Sequence, residues 1–144
     1  MKTILSILAT LLFSNLTIAQ TTAIPDANFE QKLINLGYDN VIDGQVTTNN
    51  IDTITNLDVE FGNINDLTGI QDFTSISELR CNDNLLTSLD IAQNINLIEL
   101  QCDNNQLISL DLSQNINLTK LHCNDNQLTN IDITQNSNLT AFYC

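Results

Sequence analysis

The chain has 144 residues, a formal net charge of −13, and 42% hydrophobic residues. So acidic a surface repels the phosphates of nucleic acids and of anionic membranes, which argues against both as partners. High acidity is typical of disorder only where apolar residues are scarce, so this composition indicates a folded domain.

Residues 1–19 have the pattern of a secretory signal peptide. Lys2 supplies a positive charge, Ile4 to Phe13 is largely apolar, and small residues lead up to a cleavage site after Ala19. A membrane anchor is the alternative, but the apolar run is about half of the ~20 residues that a span requires. We therefore predict export, and a location in the extracellular medium or at the cell surface.

Residues 20–50 are predicted to form a helical N-terminal cap. Asp26 is a helix-capping residue, and apolar side chains follow it at helical spacing up to Gly37, a typical residue beyond a helix end. An array of repeats leaves an apolar face open at its first turn, and an element with a polar outer side must cover that face.

Residues 51–144 contain a repeat with a period of 21 residues. A divergent first turn precedes three complete copies and one incomplete copy. The copies begin at Ile76, Leu97, Leu118 and Leu139. A fixed period of this length predicts a solenoid, in which stacking of the copies makes one continuous core.

Positions within a repeat are counted from its first Leu or Ile. Apolar positions 4 and 6 alternate with polar positions 3 and 5, which predicts a strand with one buried face and a parallel sheet across the turns. Positions 14 and 16 alternate likewise and predict a second extended segment on the opposite, convex side. Position 9 holds asparagines expected to bridge neighbouring turns, because an amide both donates and accepts. They are Asn84, Asn105 and Asn126.

The pattern LxxLxCxxNxL in Leu97–Leu107 and Leu118–Leu128 resembles the leucine-rich repeat consensus. With the cap IPDANFEQKLINLGYDN, the chain resembles secreted bacterial leucine-rich repeat proteins of an internalin-like kind. The resemblance implies a right-handed superhelix with a parallel β-sheet on its concave face, and a role in protein binding or adhesion. It also implies a ladder of the position 9 asparagines and core strand positions at Leu79, Cys81, Leu100, Cys102, Leu121 and Cys123.

All four cysteines, Cys81, Cys102, Cys123 and Cys144, occupy position 6, where they are expected to point into the core. An even count in a secreted protein usually suggests disulfides. Side chains of an in-register parallel ladder run parallel, however, so we favour buried free thiols. A zinc site fits worse, because the outer two cysteines would lie about 14 Å apart.

Other residues give no sign of catalysis. His122 is expected to point outward and Cys123 inward, so the two cannot act as base and nucleophile. Asp90, Asp111 and Asp132 form a carboxylate row on the convex side, where a calcium site is the alternative to hydrogen bonding with nearby turn amides. We predict no catalytic residue, no metal and no cofactor, and hence no enzyme.

The outward residues of the concave face differ between turns and form the predicted ligand-binding surface, because a rigid scaffold presents them with little ordering cost. They are Glu78, Glu99 and Lys120 at position 3, with Ala141 after them, Arg80, Gln101, His122 and Tyr143 at position 5, and Asn82, Asp103 and Asn124 at position 7. Absence of constraint at surface positions is the alternative explanation of this variation.

Nothing in the sequence covers the apolar residues of the last turn before Cys144. A bare sheet edge over an apolar core invites association, so we expect further C-terminal repeats or a cap in a longer protein, with dimerisation as the alternative. The sequence predicts a binding module for a protein or peptide. A carbohydrate-binding or adhesion module and a structural spacer of a longer surface protein are the alternatives.

Overall fold

A computed structural model describes residues 19–144, so the predicted signal peptide lies outside the described residues apart from Ala19. Residues 19–144 form seven short strands and one α-helix, with two 3-10 turns at Thr48–Asn50 and Ile70–Asp72. The N-terminal elements are β1 (Thr21–Ala23), α1 (Ala27–Asn35) and β2 (Gln45–Thr47). The repeat strands are β3 (Asn56–Asp58), β4 (Glu78–Arg80), β5 (Glu99–Gln101), β6 (Lys120–His122) and β7 (Ala141–Tyr143).

The N-terminal helix begins where a carboxylate caps it. Asp26 Oδ1 accepts hydrogen bonds from the backbone N–H groups of Asn28 and Phe29, at 2.8 and 3.1 Å. The buried side of α1 carries Phe29, whose ring lies 6.2 Å from that of Phe73 in the first repeat. This contact joins the N-terminal elements to the core of the repeats.

The N-terminal segment also contains an antiparallel pair of strands, which the sequence did not indicate. β1 pairs with β2, with Thr22 opposite Val46. Strands of three residues are too short to show a recognisable alternation of apolar and polar residues. In addition, β1 precedes the helix and β2 follows it, so that no hairpin signal joins the two strands.

The repeats form a five-stranded parallel sheet in the order β3–β4–β5–β6–β7, with one strand from each turn. The register places Leu79, Leu100 and Leu121 side by side on adjacent strands, and all three are fully buried. The predicted repeat solenoid with a parallel sheet is therefore confirmed. The predicted concave face is the outer face of this sheet, opposite these leucines.

The chain turns a sharp corner after each repeat strand. Asp83, Asn104 and Asp125 occupy position 8 of successive turns and have φ values of 55°, 53° and 52°. Asn and Asp tolerate this left-handed region better than other residues with a side chain, which explains why only these two residue types occupy the position.

The predicted second extended segment forms no strand in the part of the chain that the structure describes. Side chains bind the convex backbone instead of a strand ladder. Asp111 Oδ1 accepts the N–H of Ser113 at 2.9 Å, and Asn115 Nδ2 donates to the carbonyl of Ile91 at 3.0 Å. Alternation at two positions was too short a signal to distinguish a strand from these side-chain-supported turns.

Within residues 19–144, no helix has the length and apolar character needed to cross a membrane.

Candidate binding surface

The parallel register arranges the outward residues of the sheet in rows that run across the turns. Positions 3 and 5 flank position 4, where β4, β5 and β6 carry a buried leucine and β7 carries Phe142, which is 42% exposed. The first row comprises Glu78, Glu99, Lys120 and Ala141, and the second comprises Arg80, Gln101, His122 and Tyr143. The sheet therefore brings together the residues that the sequence placed at these two positions.

Carboxylates surround the arginine of the sheet. The guanidinium of Arg80 contacts Glu78 at 2.5 Å and lies 4.0 Å from Asp58 on the preceding strand. The hydrogen bond and charge of Glu78 raise the pKa of Arg80 above its usual range. Asn56 Nδ2 donates to the other carboxylate oxygen of Glu78 at 2.8 Å. These contacts hold the long side chains of Arg80 and Glu78 in one arrangement.

The lysine of the sheet is engaged in the same way. Lys120 Nζ lies 3.0 Å from Glu99 Oε2, and Gln101 Nε2 donates to Glu99 Oε1 at 2.7 Å. The hydrogen bonds of Gln101 and Lys120 lower the pKa of Glu99. Three neighbouring side chains are thereby ordered before any ligand arrives.

Aromatic side chains occupy the β6–β7 end of the sheet. The rings of His122 and Tyr143 lie 4.8 Å apart at an interplanar angle of 40°, and Tyr143 is 54% exposed. This pair places aromatic rings at that end of the sheet, where Tyr143 is available to a ligand.

Asn82, at position 7, was predicted to belong to the ligand-binding surface. Its side chain is buried rather than available to a ligand, with only 8% of the residue exposed. Asn82 Nδ2 donates to Glu60 Oε2 at 3.2 Å and to Asp83 Oδ2 at 2.9 Å, so the amide is enclosed between two carboxylates. Asp103 and Asn124, at the same position in later turns, are partly exposed.

The asparagines at position 9 bind backbone groups of two turns at once. Asn105 Oδ1 accepts the N–H of Leu86 at 3.0 Å, and its Nδ2 donates to the carbonyls of Cys81 and Cys102 at 3.0 and 3.1 Å. Asn84 and Asn126 make equivalent contacts in their own turns. These internal hydrogen bonds fix the register of neighbouring turns, and the alignment of the side-chain rows on the sheet depends on that register.

The cysteines do not all share one environment. Cys81 and Cys102 are buried free thiols, and each donates to a backbone carbonyl of the next strand at 3.4 Å. Burial raises the pKa of Cys81 well above its usual value and that of Cys102, with a smaller effect of Asp103, to about 12. Thiols in such a setting are unreactive.

The last two cysteines differ in burial. Cys123 is buried, as the sequence predicts, whereas Cys144 is exposed and so does not lie in the core. The Cα atoms of the two residues are 4.6 Å apart on adjacent strands.

The convex carboxylates bind the backbone of their own turns. Asp90, Asp111 and Asp132 each accept the N–H of the residue two positions later, at 2.9–3.1 Å. These hydrogen bonds, from Ser113 and Thr134, lower the pKa of Asp111 and of Asp132.

Sequence reasoning overlooked a second acidic row beside the sheet. Glu60, Asp83 and Asp125 join Asp103 along the edge where the strands end, and each is at least partly exposed. The signal was present in the sequence, because every complete turn carries one Asp and one Asn directly after its cysteine.

A stacked parallel sheet, buried leucines and an internal asparagine ladder define the class: this is a leucine-rich repeat protein. No family model and no curated protein matches the sequence. Among solved structures, the functional domain of InlJ from Listeria monocytogenes is 35% identical to this chain, with a TM-score of 0.80. The match covers 90% of this chain and 29% of that one, and the InlJ domain includes a cysteine ladder.

The internalin InlF from Listeria monocytogenes is 17% identical, with a TM-score of 0.70 over 83% of this chain and 43% of that one. That likeness shows the fold alone. The chain is thus an internalin-like leucine-rich repeat protein, and it spans less than half the length of these structures.

Proposed function

We propose that the protein is a secreted or cell-surface binding module that holds a protein or peptide ligand on the concave sheet. The observation that carries the proposal is the order already present on that face. Glu99, Gln101 and Lys120 are linked by hydrogen bonds at 2.7 and 3.0 Å before any partner binds. A ligand meeting an ordered surface loses less conformational entropy than one that must order flexible side chains.

Several features support the other parts of this proposal. The leader pattern in residues 1–19 supports export, and the N-terminal elements of residues 20–50 serve as a cap for the repeats in residues 51–144. The rows of the sheet combine charges, amides and an aromatic pair without a nucleophile beside a base, which supports binding rather than catalysis.

A pair of matched variants tests the proposal. Arg80→Ala, His122→Ala and Tyr143→Ala together remove the arginine and both rings from the sheet, and we call this chain the concave variant. Gln93→Ala, Gln114→Ala and Gln135→Ala together make the glutamine control, in which three exposed side chains outside the sheet are truncated.

Both variants and the unmodified chain are used to select ligands from a displayed random peptide library. We expect peptides that bind the unmodified chain and the glutamine control but bind the concave variant at least about tenfold more weakly, which is about 1.4 kcal/mol. Selected peptides that bind all three chains equally would show that the sheet is not the binding surface.

A second candidate is a carbohydrate-binding or adhesion module, favoured by the ring pair of His122 and Tyr143 at 4.8 Å. An exposed aromatic face packs against the apolar face of a sugar ring. A glycan array probed with the unmodified chain and with Tyr143→Ala alone tests this candidate. Glycan signals that disappear with the ring would favour it, and an array without signals would count against it. A structural spacer, the third alternative, predicts no ligand in either experiment.

A further inference from the structure

One edge of the concave sheet carries a continuous row of negative charge. We call Glu60, Asp83, Asp103 and Asp125 the acidic margin; they follow strands β3 to β6, one in each turn. At a strand spacing of about 4.8 Å, the row carries roughly one charge for each step along the stack. The carboxylate is at position 8 in Asp83, at position 7 in Asp103 and at position 8 in Asp125. The same position in the adjacent complete turn is therefore occupied by an asparagine.

The acidic margin differs from the convex carboxylates in what it binds. Asp90, Asp111 and Asp132 accept backbone N–H groups of their own turns. Glu60 and Asp83 accept the side-chain amide of Asn82, and the hydrogen bonds of the described residues include none to the carboxylates of Asp103 or Asp125. Local hydrogen bonding therefore explains the convex carboxylates but not those of Asp103 and Asp125.

The protein's own cations leave this charge uncompensated. The sequence has four Lys and Arg residues, of which three lie within residues 19–144. Arg80 contacts Glu78, and Lys120 contacts Glu99, as described above. Lys32 Nζ donates to the backbone carbonyl of Glu60 at 2.6 Å, at the first turn only. None of the ion pairs among the described residues involves Asp83, Asp103 or Asp125, so these partly or fully exposed carboxylates are open to a cationic partner.

Three exposed isoleucines lie at the opposite edge of the sheet, among Ser, Thr and Asn residues. Ile95, Ile98 and Ile116 precede strands β5 and β6 and are 54%, 48% and 53% exposed. Their turns are adjacent, since Asn117 Nδ2 donates to the carbonyl of Ile95 and the N–H of Thr119 to that of Ile98. Exposed large apolar side chains on adjacent turns, beside an open sheet face, are available to apolar side chains of a bound partner.

We propose that the concave sheet docks a basic segment of a protein partner, with lysine or arginine side chains directed at the acidic margin and apolar side chains at the isoleucines. This inference rests on the proposed function and adds the chemistry of the partner. Complementary charge of this kind accelerates association and orients the bound segment, and salt weakens it.

Neighbouring turns supply the substitutions for the test. Asp83→Asn and Asp125→Asn install the residue that occupies the same corner at Asn104, where φ is also in the left-handed region. Asp103→Asn installs the residue found at Asn82 and Asn124. The three changes together make the margin variant. Asp90→Asn, Asp111→Asn and Asp132→Asn make the convex control, with the same change in net charge.

The experiment selects peptides from a displayed random library on the unmodified chain and measures their binding to the margin variant, the convex control and the concave variant. We expect selected peptides to be enriched in Lys and Arg relative to the input library. Their affinity should fall roughly tenfold with the margin variant and stay within about twofold with the convex control. Circular dichroism and thermal unfolding establish that every variant is folded.

Each other outcome is decisive. Peptides without basic enrichment, or basic peptides that bind the margin variant and the convex control equally, would overturn the inference. If such peptides still lose affinity for the concave variant, the proposed function stands while the inference fails. If no selected peptide depends on the concave residues, both fail.

Discussion

Asn105 Nδ2 donates a hydrogen bond to the carbonyl oxygen of Cys81, one turn earlier in the chain, at 3.0 Å. Contacts of this kind hold each turn at a fixed offset from the one before. The rows of side chains on the sheet depend on that offset, because a shift of one residue would turn every outward side chain inward. The asparagines at position 9 therefore support the binding surface without contacting a ligand.

Asn105→Ala should destabilise the protein strongly. The substitution leaves the buried N–H of Leu86 without its acceptor, and an unsatisfied buried group costs about 1–3 kcal/mol. It also removes one of the two amide donors to the carbonyls of Cys81 and of Cys102. We expect a loss of about 2–4 kcal/mol in the free energy of unfolding, measured by urea denaturation. Asn117→Ala, which removes one exposed hydrogen bond, is the control and should cost less than about 1 kcal/mol. Equal losses would contradict the role assigned to the ladder.

Leu100→Ala tests the continuous core. The side chain is fully buried on the central strand, and removing it should cost about 2–5 kcal/mol because a cavity remains. Ile108→Ala, at a residue that is 64% exposed, should change stability by less than about 0.5 kcal/mol. Thermal unfolding followed by circular dichroism measures both, and a Leu100 variant as stable as the Ile108 variant would refute the packing described.

Stability should depend on pH through Asp26. Partial burial opposes ionisation of this carboxyl, but the hydrogen bonds from the N–H groups of Asn65, Phe29, Asn28 and Asp66 outweigh it and lower the pKa of Asp26 below its ordinary value. Because the folded pKa lies below the unfolded one, the contribution is complete above the unfolded value and disappears as pH falls through the folded value.

Asp26→Asn removes the charge but keeps an oxygen that can cap the helix. The variant should be less stable than the unmodified chain at pH 7, and the difference should shrink as the solution is acidified below about pH 4. Urea denaturation at a series of pH values measures this convergence. A difference that is constant with pH would mean that the charge of Asp26 contributes nothing.

Cys81 and Cys102 should resist alkylation in the folded protein. Burial raises the pKa of both thiols, so that the reactive thiolate is scarce at neutral pH. Mass spectrometry after treatment with iodoacetamide should find both residues unmodified in buffer and modified in denaturant. Rapid labelling of either residue in the native state would place it outside the core.

The sequence predicted the parts of the fold that depend on a repeated pattern. Leu79, Leu100 and Leu121 recur at one position, and a recurrence over several turns leaves one register that buries them all. The outward residues at positions 3 and 5 followed from the same register, because strand side chains alternate between faces.

Features that depend on single contacts could not be predicted in this way. Asp26 was expected to cap the helix, but its second oxygen accepts the N–H groups of Asn65 and Asp66, which no local pattern reveals. Asn82 occupies the same repeat position as Asp103 and Asn124, but its side chain is enclosed by Glu60 and Asp83. Burial at this corner depends on the neighbouring side chains, which the repeat position alone does not reveal. The acidic margin was overlooked for a related reason: its carboxylates alternate between two positions and fill neither one.

Isothermal titration of a selected peptide into the unmodified chain, the concave variant and the glutamine control tests the central claim most directly. The account predicts that affinity falls at least about tenfold when Arg80, His122 and Tyr143 become alanine, and that it is unchanged in the glutamine control. Equal affinity for the unmodified chain and the concave variant would contradict a ligand site on the concave sheet.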